Sequence, residues 1–342
     1  MAMSDRYSQD RVLLAHGGGG RMSQQLIRRI FLRSFGSTTL HRLDDCAVIE
    51  RQTGRLALST DSFVVKPLFF PGGDIGKLAV YGTVNDLSMS GATPLYLSAA
   101  FVLEEGFPIA DLTRIADSMG EAAREVGAEI VAGDTKVVES GKADEVFITT
   151  TGLGLVPEGV SIFASGARAG DKIILSGTIG DHGIAVLSKR EGFRFSAEIE
   201  SDCAPLTGLV QRMLGLSKEI HCLRDPTRGG LATALNELAA QSGVAMRIFE
   251  GAILVRDEVR AACELLGYDP LYVANEGKLV AVVAPGVAVA MVDKMRQEPN
   301  GRDATIIGEV LEGPAGRVSM ATRIGGTRIV DMLSGELLPR IC

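Results

Sequence analysis

No stretch of the sequence concentrates lysine or arginine, and the formal charge is 35 − 42 = −7. An acidic chain without a basic patch is a poor match to a polyanion, so nucleic acid is not expected as a partner. Long apolar runs are missing as well. The most apolar stretch, 279–292, is cut by Pro285 and Gly286, too short and too broken to span a bilayer. The opening residues MAMSDRYSQD lack the basic-then-apolar order of a secretory leader, so a cytoplasmic location is expected. There is no C-x-x-C pair and no Cys/His spacing of the metal-binding kind. The five cysteines are an odd number. Four of them, Cys46, Cys203, Cys222 and Cys263, read as free buried thiols. Cys342 stands apart as the last residue of the chain.

What is present is ordinary for a folded protein: 46% hydrophobic and 23% charged residues. A length of 342 residues exceeds what one core usually serves, which points to two domains. Forty-one glycines alongside no tryptophan suggest tight turns and close backbone approach to a ligand.

Strand and helix patterns alternate through both halves, the signature of α/β (α+β) domains. A strand is expected over 55–60, ending at Asp61. A helix follows over 76–90, with Asp74 as N-cap and Gly91 and Pro94 closing it. A second helix over 110–126 carries Leu112, Ile115, Met119, Ala122 and Val126 at helical spacing and stops at Gly127. Strands are expected over 129–132, running into Gly133-Asp134-Thr135-Lys136, and over 147–156. Residues 157–170 are rich in Gly, Ser and Pro, and the domain boundary is placed there. This gives domains at 1–156 and 157–330 and a flexible tail at 331–342. The second half offers strands at 172–176, 244–249, 279–284 and 304–311, a helix over 229–241 capped by Gly243, and a hairpin through Gly325-Gly326.

Asp44, Asp45, Asp61, Asp86 and Asp134 sit next to turns or strand ends. Carboxylates bind phosphates only through hard cations, so their convergence would suit a Mg-nucleotide site; each could equally be a turn former or cap. Asp86 shares a helix face with Ile75, Ala79 and Gly82, which should bury it, and a buried carboxylate needs a partner or a metal. Asn85 beside it is another poor helix former. Gly17, Gly18, Gly19 and Gly20 expose backbone N–H groups that can wrap phosphate oxygens, though without the Lys-Ser/Thr ending of a P-loop. Asp225-Pro226-Thr227-Arg228-Gly229-Gly230 opens a helix whose N–H groups, with Arg228, suit an anion; a start simply capped by Thr227 is the competing account.

Together the segments DDCAV at Asp44, STDSFVV at Ser59, GTVNDLSMSGATP at Gly82, GDTKV at Gly133 and DPTRGGLATALNE at Asp225 resemble the two-domain ATP-binding family of aminoimidazole ribonucleotide synthetase, selenophosphate synthetase and thiamine monophosphate kinase. Within it, HGGGG at His16, the VNDL form of the helix motif, ANEGK at Ala274 and the ending Pro339-Arg340-Ile341-Cys342 are similar to the hydrogenase-maturation carbamoyl dehydratases, the HypE family. With 5 cysteines in 342 residues, a cysteine at the last position is expected by chance about 1.5% of the time, so the ending is informative. It is not a prenylation box, which needs the cysteine fourth from the end.

The resemblance implies a homodimer, Mg-ATP, and an enzyme that dehydrates a carbamoyl group on its own Cys342 to a thiocyanate, supplying cyanide for the iron of NiFe hydrogenases. A hydrogenase-maturation carbamoyltransferase would load the thiol, and an iron-carrying scaffold complex would accept the cyanide. Asp45, Asp61, Asp86 and Asp134 become candidate Mg2+ ligands, with Asp44 beside them. Asn85, Gly133 and Thr135 become nucleotide-positioning residues. Glu276 becomes the base, although Asn275-Glu276-Gly277 is also a good turn. Lys136 becomes the cation for developing negative charge, its alternative being an exposed surface lysine. A tail of twelve residues reaches roughly 40 Å, enough for an inward and an outward state. Two other readings remain: a small-molecule synthetase akin to selenophosphate synthetase, disfavoured because no Cys or Lys lies within 16–22, and a nucleotide-binding maturation scaffold without catalysis.

Overall fold

The computed structural model describes residues 10–18, 20–43, 46–49, 53–193, 199–335, 338 and 340–342. The expected sites Gly19, Asp44 and Asp45 lie outside them. Two main sheets form among the described residues. The first contains β1 (Arg55–Phe63), β2 (Thr93–Glu104), β3 (Glu129–Val138) and β4 (Val146–Val156), in the order β1-β4-β2-β3. β4 runs antiparallel between β1 and β2, and β2 pairs parallel with β3.

Two helices cover one face. α1 (Ile75–Met89) links β1 to β2, and α2 (Ile109–Val126) links β2 to β3. Asp74 caps α1 as expected, its carboxylate accepting from the Gly76 and Lys77 N–H groups and from Ser118. Such a cap stabilises a helix by roughly 1 kcal/mol. Gly127, left-handed at φ 72°, closes α2. α1 is buried on nearly every side because it lies between the first sheet and the second domain.

The second sheet has the order β11-β10-β7-β9-β5-β8-β6. Its strands are β5 (Lys172–Leu175), β6 (Ile220–Arg224), β7 (Ala245–Phe249), β8 (Val280–Val283), β9 (Thr305–Leu311), β10 (Val318–Ala321) and β11 (Thr327–Ile329). Alternation along its strands builds two cores. Ile173, Leu175, Val280 and Val282 join a cluster with Leu231, Leu235 and Leu238 of α5 (Gly230–Ser242), which follows α3 (Asp181–Glu191) and α4 (Thr207–Leu216) in the chain. Ile174, Ala281 and Val283 face the other way, against Val210 and Met213 of α4 and Met291 and Met295 of α7 (Ala288–Met295). α6 (Asp257–Leu266) packs beside α3. The molecule is thus a two-domain α+β fold.

Several expectations are corrected. β1 continues through Asp61 to Phe63, and β3 continues through the Gly133–Lys136 motif to Val138, so these residues lie within strands and not at strand ends. Cys203, Cys222 and Cys263 are buried free thiols, but Cys46 is exposed. On α1 Asn85 is fully buried, as are Thr83 and Ser88; Asp86 is only half-buried, because the face it shares with Gly82 opens into a cleft. Among the described residues no helix is long and apolar enough to cross a membrane.

Candidate active site

A cleft of about 620 Å³ opens between the domains. Each wall is held by a different element. β1 supplies Ser59 and Asp61, and α1 supplies Asp86, whose Oδ2 accepts from Ser59 Oγ at 2.7 Å. The turn after β6 supplies Asp225 and Arg228, and the loop before β8 supplies Glu276. Cys342 enters from the tail.

The two loops of the second domain are stitched together by Asn275. Its Nδ2 donates to the Pro226 and Val273 carbonyls, each at 3.0 Å, and its Oδ1 accepts from Gly180 N–H at 2.8 Å. Gly277 has no room for a side chain, since a Cβ there would fall 1.8 Å from the Asp202 carbonyl oxygen. Asp202 in turn accepts from the N–H groups of Glu276 and Gly277 and pairs with Lys278 at 3.2 Å. In the ANEGK segment, therefore, Asn275, Gly277 and Lys278 build the loop and Glu276 is presented to the cleft. On the other side Gly230, at φ 66°, fits tightly under residues 271–273. Arg228 itself is held left-handed at φ 48°, a conformation that costs a non-glycine residue about 1 kcal/mol. Thr227 is not the cap of α5: the N-cap is Gly229, with no side-chain cap. The first turn of that helix borders the cleft through Gly229, Thr233 and Ala234.

The electrostatics are those of crowded acids. Burial, then the charge of Asp86 and a hydrogen bond with it, pushes Asp61 up to about 6. Burial and the Asp86 charge raise Asp225 to about 7. Glu276, 4% exposed, is driven well above the ordinary carboxylate range by burial and by Asp225, Asp202 and Asp61, and its Oε1 has no hydrogen-bond partner. Arg228 is the cation opposing them. It lies 3.8 Å from Asp61, and its charge acts on the Cys342 thiol, whose ionised form it favours. Burial and the neighbouring Glu276 nonetheless push that thiol up to about 12, so it is neutral where it sits.

The tail is seated by its main chain. Val64 N–H donates to the main-chain oxygen of Cys342 at 3.1 Å and Lys66 N–H to the Arg340 carbonyl at 3.2 Å, extending the line of β1. Arg340 pairs with Asp144, and Ile341 is buried in the core shared by both domains.

The expected site residues fall into two groups. Asp61, Asp86, Arg228, Glu276 and Cys342 come together. Asp134 and Lys136 do not join them within the chain. Asp61 belongs to the cross-strand row Asp61–Thr150–Ala99–Gly133, on the face toward α1, where Thr150 meets Thr83 at 2.6 Å. Asp134 belongs to the row Ser62–Thr149–Ala100–Asp134, on the opposite, open face. A shift of one residue in a strand reverses the face. Lys136 shares that open face and pairs with Asp134 at 3.4 Å, both well exposed. Thr135, between them, takes its own N–H to Asp134 Oδ1 at 2.9 Å. Gly17 packs on β3, its would-be Cβ 2.6 Å from Val137 N, whereas a Cβ at Gly18 would meet only the Ala15 carbonyl at 3.8 Å and one at Gly20 would meet nothing. Asn85 is wholly engaged between the domains: Nδ2 donates to the Ala204 and Glu276 carbonyls, and Oδ1 accepts from Leu206 N–H. Asp225 was missed as a candidate, although an acid at a strand end before a glycine turn is the same signal that singled out the others.

Known proteins place this architecture. Residues 43–156 match the family model for the AIR synthase related protein N-terminal domain, and residues 168–321 match that for its C-terminal domain. The carbamoyl dehydratase HypE of Azotobacter vinelandii is 57% identical over 331 residues, 97% of this chain and 97% of its own. A crystal structure of hydrogenase maturation protein HypE in complex with ATP superposes with a TM-score of 0.93 at 50% identity, over 96% of this chain and 99% of that one. The HypE chain of a HypE–HypF complex does so with a TM-score of 0.80 at 50% identity, over 90% and 99%. Identity of this order along nearly the whole length, with both domain models matched in sequence, means that the chain belongs to the HypE family of AIR synthase related proteins.

Proposed function

We propose that this protein uses ATP to dehydrate an S-carbamoyl group on Cys342 to a thiocyanate. The carrying observation is that the Cys342 thiol is seated in the acid-lined cleft beside Glu276 and Arg228. A relative of half-identical sequence is named as an ATP complex, and the nucleotide is assigned here to the same cleft.

The chemistry has two stages. The carbamoyl oxygen attacks the γ-phosphorus of ATP, ADP leaves, and one N–H proton is lost to a base. The C–O bond then breaks with phosphate as leaving group while the second N–H proton is removed, and sulfur is left bonded to a nitrile. Oxide is far too poor a leaving group without this activation. Glu276 is the proposed base: its raised affinity for a proton suits removal of one from a weak acid, and its unpartnered Oε1 is an open acceptor. Arg228 orients the sulfur and offsets negative charge near it.

Among the described residues no group of three acids, histidines or cysteines is close enough to ligate one ion. The chemistry of the donors nevertheless suits a hard cation: all are carboxylate oxygens, and Asp61 and Asp225 are raised by burial and by Asp86. Asp61, Asp86 and Asp225 would hold Mg2+ ions that come bridged to the triphosphate, each ion taking no more than two of these carboxylates, with Asp44 or Asp45 as further proposed ligands, and the ions would neutralise the triphosphate.

The open face of the first sheet carries Leu58, 72% exposed, and Leu56, 51% exposed, along β1. We assign that face to a second copy of the chain, so that Lys136 and Asp134 of one copy serve the nucleotide of the other. Loading belongs to an outward tail state, because a thiol held near 12 is a poor nucleophile. A solved relative is named in complex with HypF; a hydrogenase-maturation carbamoyltransferase is the proposed loader, and an iron-carrying scaffold complex the proposed acceptor. Intact-mass measurement after incubation with carbamoyl phosphate, ATP and that transferase tests the reading. Loss of one water from the carbamoylated peptide containing Cys342 is expected. ATP hydrolysis indifferent to carbamoylation, with no water lost, would leave only a nucleotide-binding scaffold.

A further inference from the structure

His182 takes no part in the chemistry above, yet it is completely buried and both ring nitrogens are engaged. Nε2 lies 2.7 Å from the carbonyl oxygen of Ile341, and Nδ1 lies 2.8 Å from Ser201 Oγ. A carbonyl oxygen can only accept, so Nε2 carries the hydrogen. Burial holds the ring below its usual pKa and hence neutral, which makes Nδ1 an acceptor from the Ser201 hydroxyl. Ser201 Oγ itself accepts from Cys203 N–H at 3.0 Å, and Ser201 N–H is anchored on the Pro71 carbonyl at 2.8 Å. Polarity therefore runs one way, from Cys203 N–H through Ser201 and His182 to the tail.

The other contacts of the seated tail are of a different kind. The Arg340 carbonyl and the main-chain oxygen of Cys342 take main-chain N–H groups of Lys66 and Val64, an edge pairing that many sequences could make. The Ile341 carbonyl takes a side chain from the second domain. That carbonyl belongs to the peptide plane immediately before the Cys342 Cα, so holding it leaves only φ and χ1 of Cys342 to aim the sulfur. Asp202, between Ser201 and Cys203, accepts from the N–H groups of Glu276 and Gly277. One short segment thus holds the tail through His182 on one side and the proposed base through Asp202 on the other.

We infer that His182 is a positioning residue, a latch that seats the Ile341–Cys342 peptide plane and keeps the sulfur of Cys342 in register with Glu276. The catalytic half of this inference rests on the dehydration reading; the latch itself does not. When the tail leaves, the Nε2–H loses its acceptor inside the protein, which favours return to the seated state.

The test compares His182→Phe, which fills the space without a donor, and His182→Gln, whose amide can place an N–H near Nε2. In bare protein, alkylation of Cys342 followed by mass spectrometry is expected to be at least about fivefold faster in H182F and to return to near the native rate in H182Q. In single-turnover dehydration of pre-carbamoylated protein, H182F should be slower by about tenfold or more, the scale of a small misplacement, with H182Q recovering most of the loss. Loading by the transferase should not slow in either. Unchanged alkylation in H182F, or H182Q no better than H182F, overturns the latch. Should H182F fail to fold, 15N spectra of the imidazoles decide, since the chain has only 4 histidines. Deleting residues 340–342 from otherwise native protein must shift the His182 signals, and an unmoved signal overturns the proposal. Absence of water loss in the native protein would sink the dehydration reading alone, leaving the alkylation and 15N results to judge the latch.

Discussion

Asn85, in the middle of α1, accepts the main-chain N–H of Leu206 at 2.8 Å across the domain boundary, while its amide donates to Ala204 and to Glu276. One side chain therefore ties the first domain to the start of α4 and to the peptide of the proposed base. Asn85→Ala strands a buried N–H and two buried carbonyls. A loss of roughly 2–3 kcal/mol is expected, read as a lower urea midpoint. An unchanged midpoint would mean that the domains are held together elsewhere.

The acid cluster makes stability depend on pH in a definite direction. Asp61 and Asp225 are raised from 3.8 to about 6 and about 7 in the folded state. Over that window the folded chain binds more protons than the unfolded one, so unfolding free energy falls as pH rises from about 4 to about 7. The cluster contributes a decline in melting temperature across this range, to be read as a difference between native and variant protein, because buried His182 contributes a rise over part of it. Asp225→Asn should flatten the decline, and Mg2+ should raise the melting temperature more at pH 8 than at pH 5. An Asp225→Asn profile with the native slope, or a Mg2+ effect independent of pH, would contradict the cluster.

Much of this arrangement could be read from residues alone, and the parts that could not share a cause. The Asp74 cap, the Gly127 stop and the apolar spacing of α2 are local signals, and each appears where expected. β2, the central strand of the first sheet, was not recognised. It opens with Thr93-Pro94 directly after a helix stop, and its long interior mixes small and apolar residues without a clean alternation. The extent of β3 was underestimated because Gly133-Asp134 reads as a turn; the strand persists through pairing with Ala99 and Ala100 of β2. Whether Asp61 and Asp134 face the same way depends on strand parity, invisible until the strand bounds are known. The joint use of Asn85 and His182 depends on partners over a hundred residues away.

Glu276→Gln keeps the shape of the side chain and removes the basic carboxylate. Single-turnover dehydration is expected to fall by about 10²–10⁴, the usual reach of a general base. Carbamoyl loading should persist and the melting temperature should hold or rise, because burial beside Asp225, Asp202 and Asp61 disfavours the Glu276 carboxylate in the bare fold. A variant that lost loading as well would point to a role in seating the tail. One that dehydrated at the native rate would remove Glu276 from the chemistry.

The division of the site between two sheet faces yields a test of where Lys136 acts. Asp61 faces α1 and Lys136 faces the open side of the same sheet, so one chain cannot bring both to one nucleotide without unravelling β1 or β3. In a two-fold dimer built on the open faces, each complete site would take Glu276 from one copy and Lys136 from the other. Lys136→Ala and Glu276→Gln should then each be nearly inactive alone. Unfolded together and refolded as a mixture, they should regain roughly a quarter of native activity, since half the dimers are mixed and each mixed dimer has one intact site. Were Lys136 to act within its own chain, every site in the mixture would carry a lesion and no activity would return. Size-exclusion chromatography of the refolded mixture provides the control, because complementation has meaning only if mixed dimers form.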